Sequence, residues 1–170
     1  MIVCIARASN HSSSISIMNL TVGNDNVTYS EIIKKRTCQN MMRSVIGSVF
    51  AVATGGGIGA VARYAISIGA EKLTPANFPL GTLTANLLGS FLIGIFWNYF
   101  DRVHISHEFR LFLFTGFLGG FTTFSTFARE TVQFFKAGEP VHAFFYLMLS
   151  NILGITMVAL GFYICHRFFR

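Results

Sequence analysis

Between Thr115 and Phe127 the chain reads Thr-Gly-Phe-Leu-Gly-Gly-Phe-Thr-Thr-Phe-Ser-Thr-Phe, apolar enough for burial yet holding a glycine pair and a cluster of hydroxyls. A helix interrupted at Gly119-Gly120 frees carbonyls at the end of its first half and N–H groups at the start of its second. Carbonyls suit a bare cation, while a helix start reinforced by Thr122, Thr123, Ser125 and Thr126 suits an anion. One break can therefore build both kinds of ion site. The bland alternative is a glycine kink whose hydroxyls bond back to their own helix.

Other residues share this chemistry. Phe124 and Phe127 are three apart, on one helical face, and a ring edge carries partial positive charge that helps an anion shed water without trapping it. With 19 Phe in the chain, core filler or a lipid-facing surface is an equally ordinary use for the pair. Asn86 sits early in an otherwise apolar stretch and must face a partner, a neighbouring helix or water, because an unpaired amide in hydrocarbon is costly. Its bland reading is interhelical glue. Arg63 is an anchor near a helix end or a cation that draws anions into a vestibule. Tyr146, Ser150 and Gly154 fall at four-residue steps, with Asn151 beside them, and form a polar track or an interhelical seam.

The elements that must position these groups follow from the charge pattern. The chain is 52% apolar and 12% charged, against roughly 25% charged in soluble domains. Ser44 to Ala62, Thr82 to Phe100, Leu111 to Phe127 and Ala143 to Cys165 contain no Asp, Glu, Lys or Arg. Each matches the length of about 20 apolar residues that crosses a bilayer. The fold class is an all-α membrane protein of four transmembrane helices with a break in the third. Small residues recur at four-residue spacing (Gly55 and Gly59, Ala85 and Gly89, Ser90 and Gly94, Gly116 and Gly120), which allows close packing within one subunit or between subunits. Helices packed this closely leave little room for a central pore, so a conduit would run along a groove completed by a second copy.

Residues 1–40 differ in composition, being rich in Ser and Asn before the basic run Lys34-Lys35-Arg36. They read as a disordered or misassigned tail, with Met41 or Met42 as an alternative start, and residues 41–170 as the four-helix domain. The loops Ala70 to Gly81, Asp101 to Arg110 and Lys136 to His142 are short, and Pro75, Pro79, Gly138 and Pro140 punctuate them. The cations flank the spans and, counted over the full chain, favour both termini in the cytoplasm. They form no aromatic-interleaved stripe, so the net charge of +6 does not point to nucleic acid.

Glu71, Asp101, Glu108, Glu130 and Glu139 are placed at span ends or in loops, which argues against a proton-coupled exporter with an intramembrane carboxylate. No Ser-His-Asp, Cys-His or HExxH constellation appears, so an enzyme is not expected. The three cysteines, Cys4, Cys38 and Cys165, lack ligand or disulfide spacing.

Three motifs in order, Gly55-Gly-Gly-Ile-Gly-Ala-Val-Ala-Arg-Tyr64, Gly81-Thr-Leu-Thr-Ala-Asn86 with Gly89, and Gly119-Gly-Phe-Thr-Thr-Phe-Ser-Thr-Phe127, resemble the Fluc/CrcB family of small fluoride channels, from about Ser44 to the C-terminus. The resemblance implies a fluoride-specific channel in the cell (inner or plasma) membrane. It would be an antiparallel, dual-topology homodimer that exports fluoride passively and holds a structural, untransported Na+ at its centre. It implies backbone carbonyls of Gly119 and Thr122 as the Na+ ligands. Phe124 and Phe127 would line the pore with Thr123, Ser125 and Thr126 beside them, Asn86 would be the pore amide, Arg63 the vestibule cation, and Tyr146 and Ser150 the polar track. The residues 1–40 and Gly154, where some members carry a hydroxyl, depart from the family pattern. The alternatives are a small proton-coupled multidrug-type exporter and a non-transporting membrane assembly protein.

Overall fold

The computed structural model describes residues 29–73 and 78–168. The tail expected over residues 1–40 lies outside the described residues as far as 28, as do Cys4 and Pro75, whereas residues 29–40 are helical. The first helix, α1, runs Tyr29–Leu73. The chain divides into two compact units after Gly47. In the first, the described part is the opening stretch of α1, with Lys34, Lys35, Arg36 and Arg43 exposed.

The second unit contains the rest of α1, then α2 (Leu80–Phe100), α3 (His107–Arg110), a π-helical stretch Leu111–Leu118, α4 (Gly119–Phe121), α5 (Phe124–Lys136) and α6 (Pro140–Phe168). Grouped by apolar length, four segments among the described residues are long and apolar enough to cross a membrane: Glu31–Ala70, Leu80–Phe100, His107–Lys136 and Pro140–Phe168. No strand occurs among the described residues. The chain is thus an all-helical, multi-pass membrane protein with an interrupted third span.

Local chemistry sets the helix ends. Ser106 caps α3 by accepting the Phe109 N–H at 3.2 Å. Past α5, Gly138 takes φ 77°, the Gly138 N–H donates to the Phe135 carbonyl and the Glu139 N–H to the Phe134 carbonyl. That is the Schellman arrangement, which needs a left-handed residue and so a glycine. Pro140 then opens α6, where its missing N–H costs nothing.

Glycines bring the backbones together. A Cβ at Gly120 would stand 2.5 Å from the Gly56 carbonyl oxygen, one at Gly116 2.9 Å from that of Val52, and one at Gly55 2.9 Å from the Phe117 nitrogen. The small-residue stripes of α1 and the third span therefore pack against each other within one subunit. α2 and α6 meet the same way: a Cβ on Gly161 would lie 3.0 Å from the Ile95 nitrogen, and Asn98 Nδ2 donates to the Phe162 carbonyl at 3.1 Å. The core is aromatic, with the fully buried Tyr146 ring 5.1 Å from Phe127 and 5.5 Å from Phe78. Outward faces are apolar, including Val61, Phe145 and Ile155. Such an exterior suits lipid as solvent.

Candidate functional site

The third span breaks at Thr122-Thr123, not at Gly119-Gly120. Gly119 and Gly120 stay helical in α4, whereas Thr122 (φ −87°, ψ 155°) and Thr123 (φ −148°, ψ 114°) are extended. Gly120 serves close approach, lying against the Gly56 backbone, and that packing favours regular helix there. The threonines supply the interruption. Thr122 donates both its N–H (3.0 Å) and its hydroxyl (2.9 Å) to the Leu118 carbonyl, ending the ladder. The Thr123 N–H, next in turn for the Gly119 carbonyl, goes instead to Asn86 Oδ1 at 2.7 Å, and Asn86 Nδ2 donates back to the Thr123 carbonyl at 3.1 Å. The side-chain amide of α2 thus stands in for a peptide partner and holds the break open.

The same threonine starts the next helix. Its hydroxyl accepts the Thr126 N–H at 3.3 Å and donates to the Thr126 hydroxyl at 3.1 Å, with the Ser125 hydroxyl 3.4 Å away. The Phe124 and Ser125 N–H groups remain as first-turn donors without a helical partner, at the positive end of the 13-residue α5.

Beside the break opens a cleft of about 380 Å³. Asn86 and Ser90 of α2, Gly119, Thr122 and Thr123 of the break, Phe124 and Phe127 of α5, and Ser150 of α6 line it. Phe127 is 8% exposed and Phe124 79%, their rings 5.8 Å apart at 50°. The Ser150 hydroxyl is buried with no hydrogen-bond partner among the described residues. Asn151 is turned back, donating to the Leu147 carbonyl at 2.7 Å. Thus Asn86, Thr123, Phe124, Phe127 and Ser150 come together with Gly119 and Thr122, while Ser125 and Thr126 attach through the Thr123 hydroxyl.

Arg63 and Tyr146 stand apart from this cleft. Arg63 lines a second hollow of about 270 Å³ with Ser67, Thr82, Thr123 and Thr126. Thr123 borders both spaces. Tyr146 is wholly buried, and its hydroxyl donates to Glu130 Oε2 at 2.8 Å. Ser150, one turn further along α6, lines the cleft while Tyr146 does not, so the two residues of the expected track have different partners.

Glu130, expected at a span end or in a loop, is the residue whose partners sequence reasoning missed. It lies inside α5 and inside the third span, half-buried, and joins three helices: Oε1 accepts from Thr82 of α2 at 2.8 Å and Oε2 from Tyr146 of α6. The expectation rested on the charge-free stretch ending at Phe127, but α5 continues for nine residues beyond it. The available signal was helical spacing. Glu130 is three residues past Phe127 and Thr82 four before Asn86, each on the face of a residue already singled out. A third hollow, which Ser67, Thr82, Thr126, Arg129 and Glu130 line, continues the polar surface from the Arg63 side.

The oxygens at the break include carbonyls that the helix end leaves without ladder partners, Gly119 among them because its ordinary donor is engaged by Asn86. Neutral carbonyl oxygens are the ligands a hard cation takes, so the donor chemistry fits such an ion.

Comparison with known proteins agrees with this geometry. Residues 50–162 match the model of the family described as CrcB-like protein, Camphor Resistance (CrcB). The chain is 57% identical over 127 residues to a protein of Desulfotalea psychrophila, covering 75% of this chain and 98% of that one. It is 47% identical over 112 residues to one of Hydrogenobaculum sp. (65% and 91% covered) and 44% over 114 to one of Phocaeicola vulgatus (67% and 94%). Each of these relatives is named fluoride-specific ion channel FluC. With its interrupted third span, its cleft of neutral donors and this extent of identity, the chain belongs to the CrcB (FluC) family of membrane proteins.

Proposed function

We propose that the chain is a fluoride-specific ion channel that lets fluoride leave the cytoplasm down its electrochemical gradient and so lowers its toxicity there. The observation that carries the reading is the cleft at the break, which Ser150, its hydroxyl buried and without a partner among the described residues, lines together with Thr123 and Phe124 at the open start of α5. Fluoride holds water strongly, so its passage calls for neutral donors in number, and a fixed cation would retain it. The Phe124 and Ser125 N–H groups, the Ser150 hydroxyl and the spare Asn86 N–H are such donors. The names of the relatives supply the ion. Those relatives are channels rather than enzymes.

The working unit is an antiparallel homodimer with two pathways in the cell membrane. A Phe124 ring 79% exposed beside a polar cleft supports it, since a second copy would cover that ring and close the conduit. Gly119 and Thr122 would hold a structural Na+ through backbone carbonyls, and the ion, when bound, would supply a fixed positive centre that ties the breaks together. Thr123, through its cap of α5, positions Ser125 and Thr126. Arg63 recruits anions from its hollow, and Tyr146 acts on the pathway through Glu130.

The protein reconstituted in liposomes loaded with potassium fluoride is expected to release fluoride to an ion-selective electrode and to retain chloride under the same conditions. Equal release of both anions, or of neither, removes the reading. Glu130, a half-buried carboxylate of α5, favours a second one, because a proton-coupled exporter requires a carboxylate within the membrane. Both its oxygens are engaged by donors. Fluoride flux that persists with no pH gradient separates a channel from an exporter.

A further inference from the structure

We propose that the opening stretch of α1 carries a docking surface for anionic phospholipid headgroups of the bilayer, on the face that presents Arg36, Gln39, Asn40 and Arg43. The proposal stands independently of what the channel conducts. Arg36 and Arg43 are seven residues apart, two helical turns, and fall on one face with the two side-chain amides between them. Those four residues line one hollow together with Met42 and Ile46. A second hollow, which Glu31, Ile32 and Lys35 border, shares Arg36 and Gln39 with it. Two guanidinium forks flanking amide donors suit phosphate oxygens. The exposed Met42 and Ile46 offer apolar surface for the glycerol and upper acyl region.

Three further observations single out a lipid. Lys34, Lys35, Arg36 and Arg43 make no ion pair among the described residues. Glu31 is the sole acid in the described part of this unit, so among the described residues the four cations outnumber the counter-charge. The stretch also runs directly into the charge-free span that begins at Ser44. α1 has 45 residues, whereas about 20 cross the hydrocarbon. The residues ahead of Ser44 therefore emerge where headgroups lie, and a basic cluster in that position is drawn to anionic lipid. The surface precedes residue 50, where the family match begins, so it is an attribute of this chain outside the matched domain.

The test uses the full chain in nanodiscs of phosphatidylcholine, with or without about 30 mol% phosphatidylglycerol, and follows amide hydrogen exchange of residues 29–47 by mass spectrometry. Exchange is expected to slow about fivefold or more in the anionic discs, and the difference to collapse in ~0.5 M NaCl, which shortens the screening length to a few ångströms. The R36Q/R43Q variant, which keeps helix propensity, is expected to exchange alike in both discs. Equal wild-type exchange in the two disc types overturns the proposal. So does slowing that survives salt, slowing that the variant retains, or slowing that inorganic phosphate alone produces in neutral discs. The salt comparison needs no variant, so a folding defect in R36Q/R43Q leaves the proposal open to refutation.

Discussion

Asn86 and Thr123 exchange two hydrogen bonds, Thr123 N–H to Asn86 Oδ1 at 2.7 Å and Asn86 Nδ2 to the Thr123 carbonyl at 3.1 Å. One side chain of α2 thus satisfies both backbone groups of the residue at which the third span turns. Asn86→Ala leaves that N–H and carbonyl unmet, each at about 1–3 kcal/mol. A lower unfolding midpoint in detergent is expected, and with the break no longer held by the α2 amide, fluoride flux is expected to fall. Asn86→Asp keeps the acceptor for Thr123 N–H but loses the donor and adds charge to an anion route. It is expected to abolish flux with a smaller loss of stability, and wild-type flux in either variant removes this role for Asn86.

The two phenylalanines should separate function from folding. Phe127 is buried against Tyr146 and Phe124 is 79% exposed. Phe127→Ala is therefore expected to cost about 3–5 kcal/mol by cavity formation. Phe124→Ile is expected to leave the melting temperature near wild type while flux is lost. Thermal melts and electrode traces on the same preparations check both, and a Phe124 variant that conducts normally contradicts the pore assignment.

Glu130 ties Thr82 to Tyr146, so these residues should not behave additively. Tyr146→Phe and Thr82→Val each remove one donor to the carboxylate, at about 1–3 kcal/mol where an acceptor is left buried. Each single change paired with Glu130→Gln in a double-mutant cycle is expected to show coupling of about 0.5–3 kcal/mol. Coupling near zero in unfolding experiments would show that the hydrogen bonds contribute nothing to stability.

Glycines of α1 that look alike in sequence should differ in tolerance. Beside Gly57 there is nothing within 4 Å, while a Cβ on Gly59 would meet the Phe117 carbonyl and stand 2.9 Å from the Phe121 nitrogen. Gly57→Ala is expected to be neutral or stabilising by up to ~1 kcal/mol through helix propensity. Gly59→Ala is expected to push α1 off the third span, seen as a lower melting temperature and loss of flux. Equal behaviour of the two variants would contradict this packing.

Exchange of sodium for N-methylglucamine throughout purification and assay tests the cation proposed at Gly119 and Thr122. Flux several-fold lower, restored by added sodium, is the expected outcome. Unchanged flux in sodium-free buffer removes the ion from the proposal.

The segments, and much of the cleft, were readable from residue order, because hydrocarbon imposes its demands one segment at a time: length, absence of charge, and internal satisfaction of the backbone. The spans, the stop at Gly138-Pro140, the interruption of the third span and the facing pair Phe124 and Phe127 all follow from that local accounting. The exact position of the interruption does not. Gly119-Gly120 is the weakest point of the helix by propensity, yet contact with Gly56 makes glycine necessary there for packing, and Asn86, 37 residues earlier, draws Thr123 out of the ladder. The role of Glu130 was hidden for the same kind of reason. A carboxylate near a span end is ordinary until Thr82 and Tyr146, from two other helices, are seen to meet it. Hydrogen bonds and backbone contacts between distant segments depend on which helix faces which, a pairing that composition and periodicity leave open and packing in three dimensions settles.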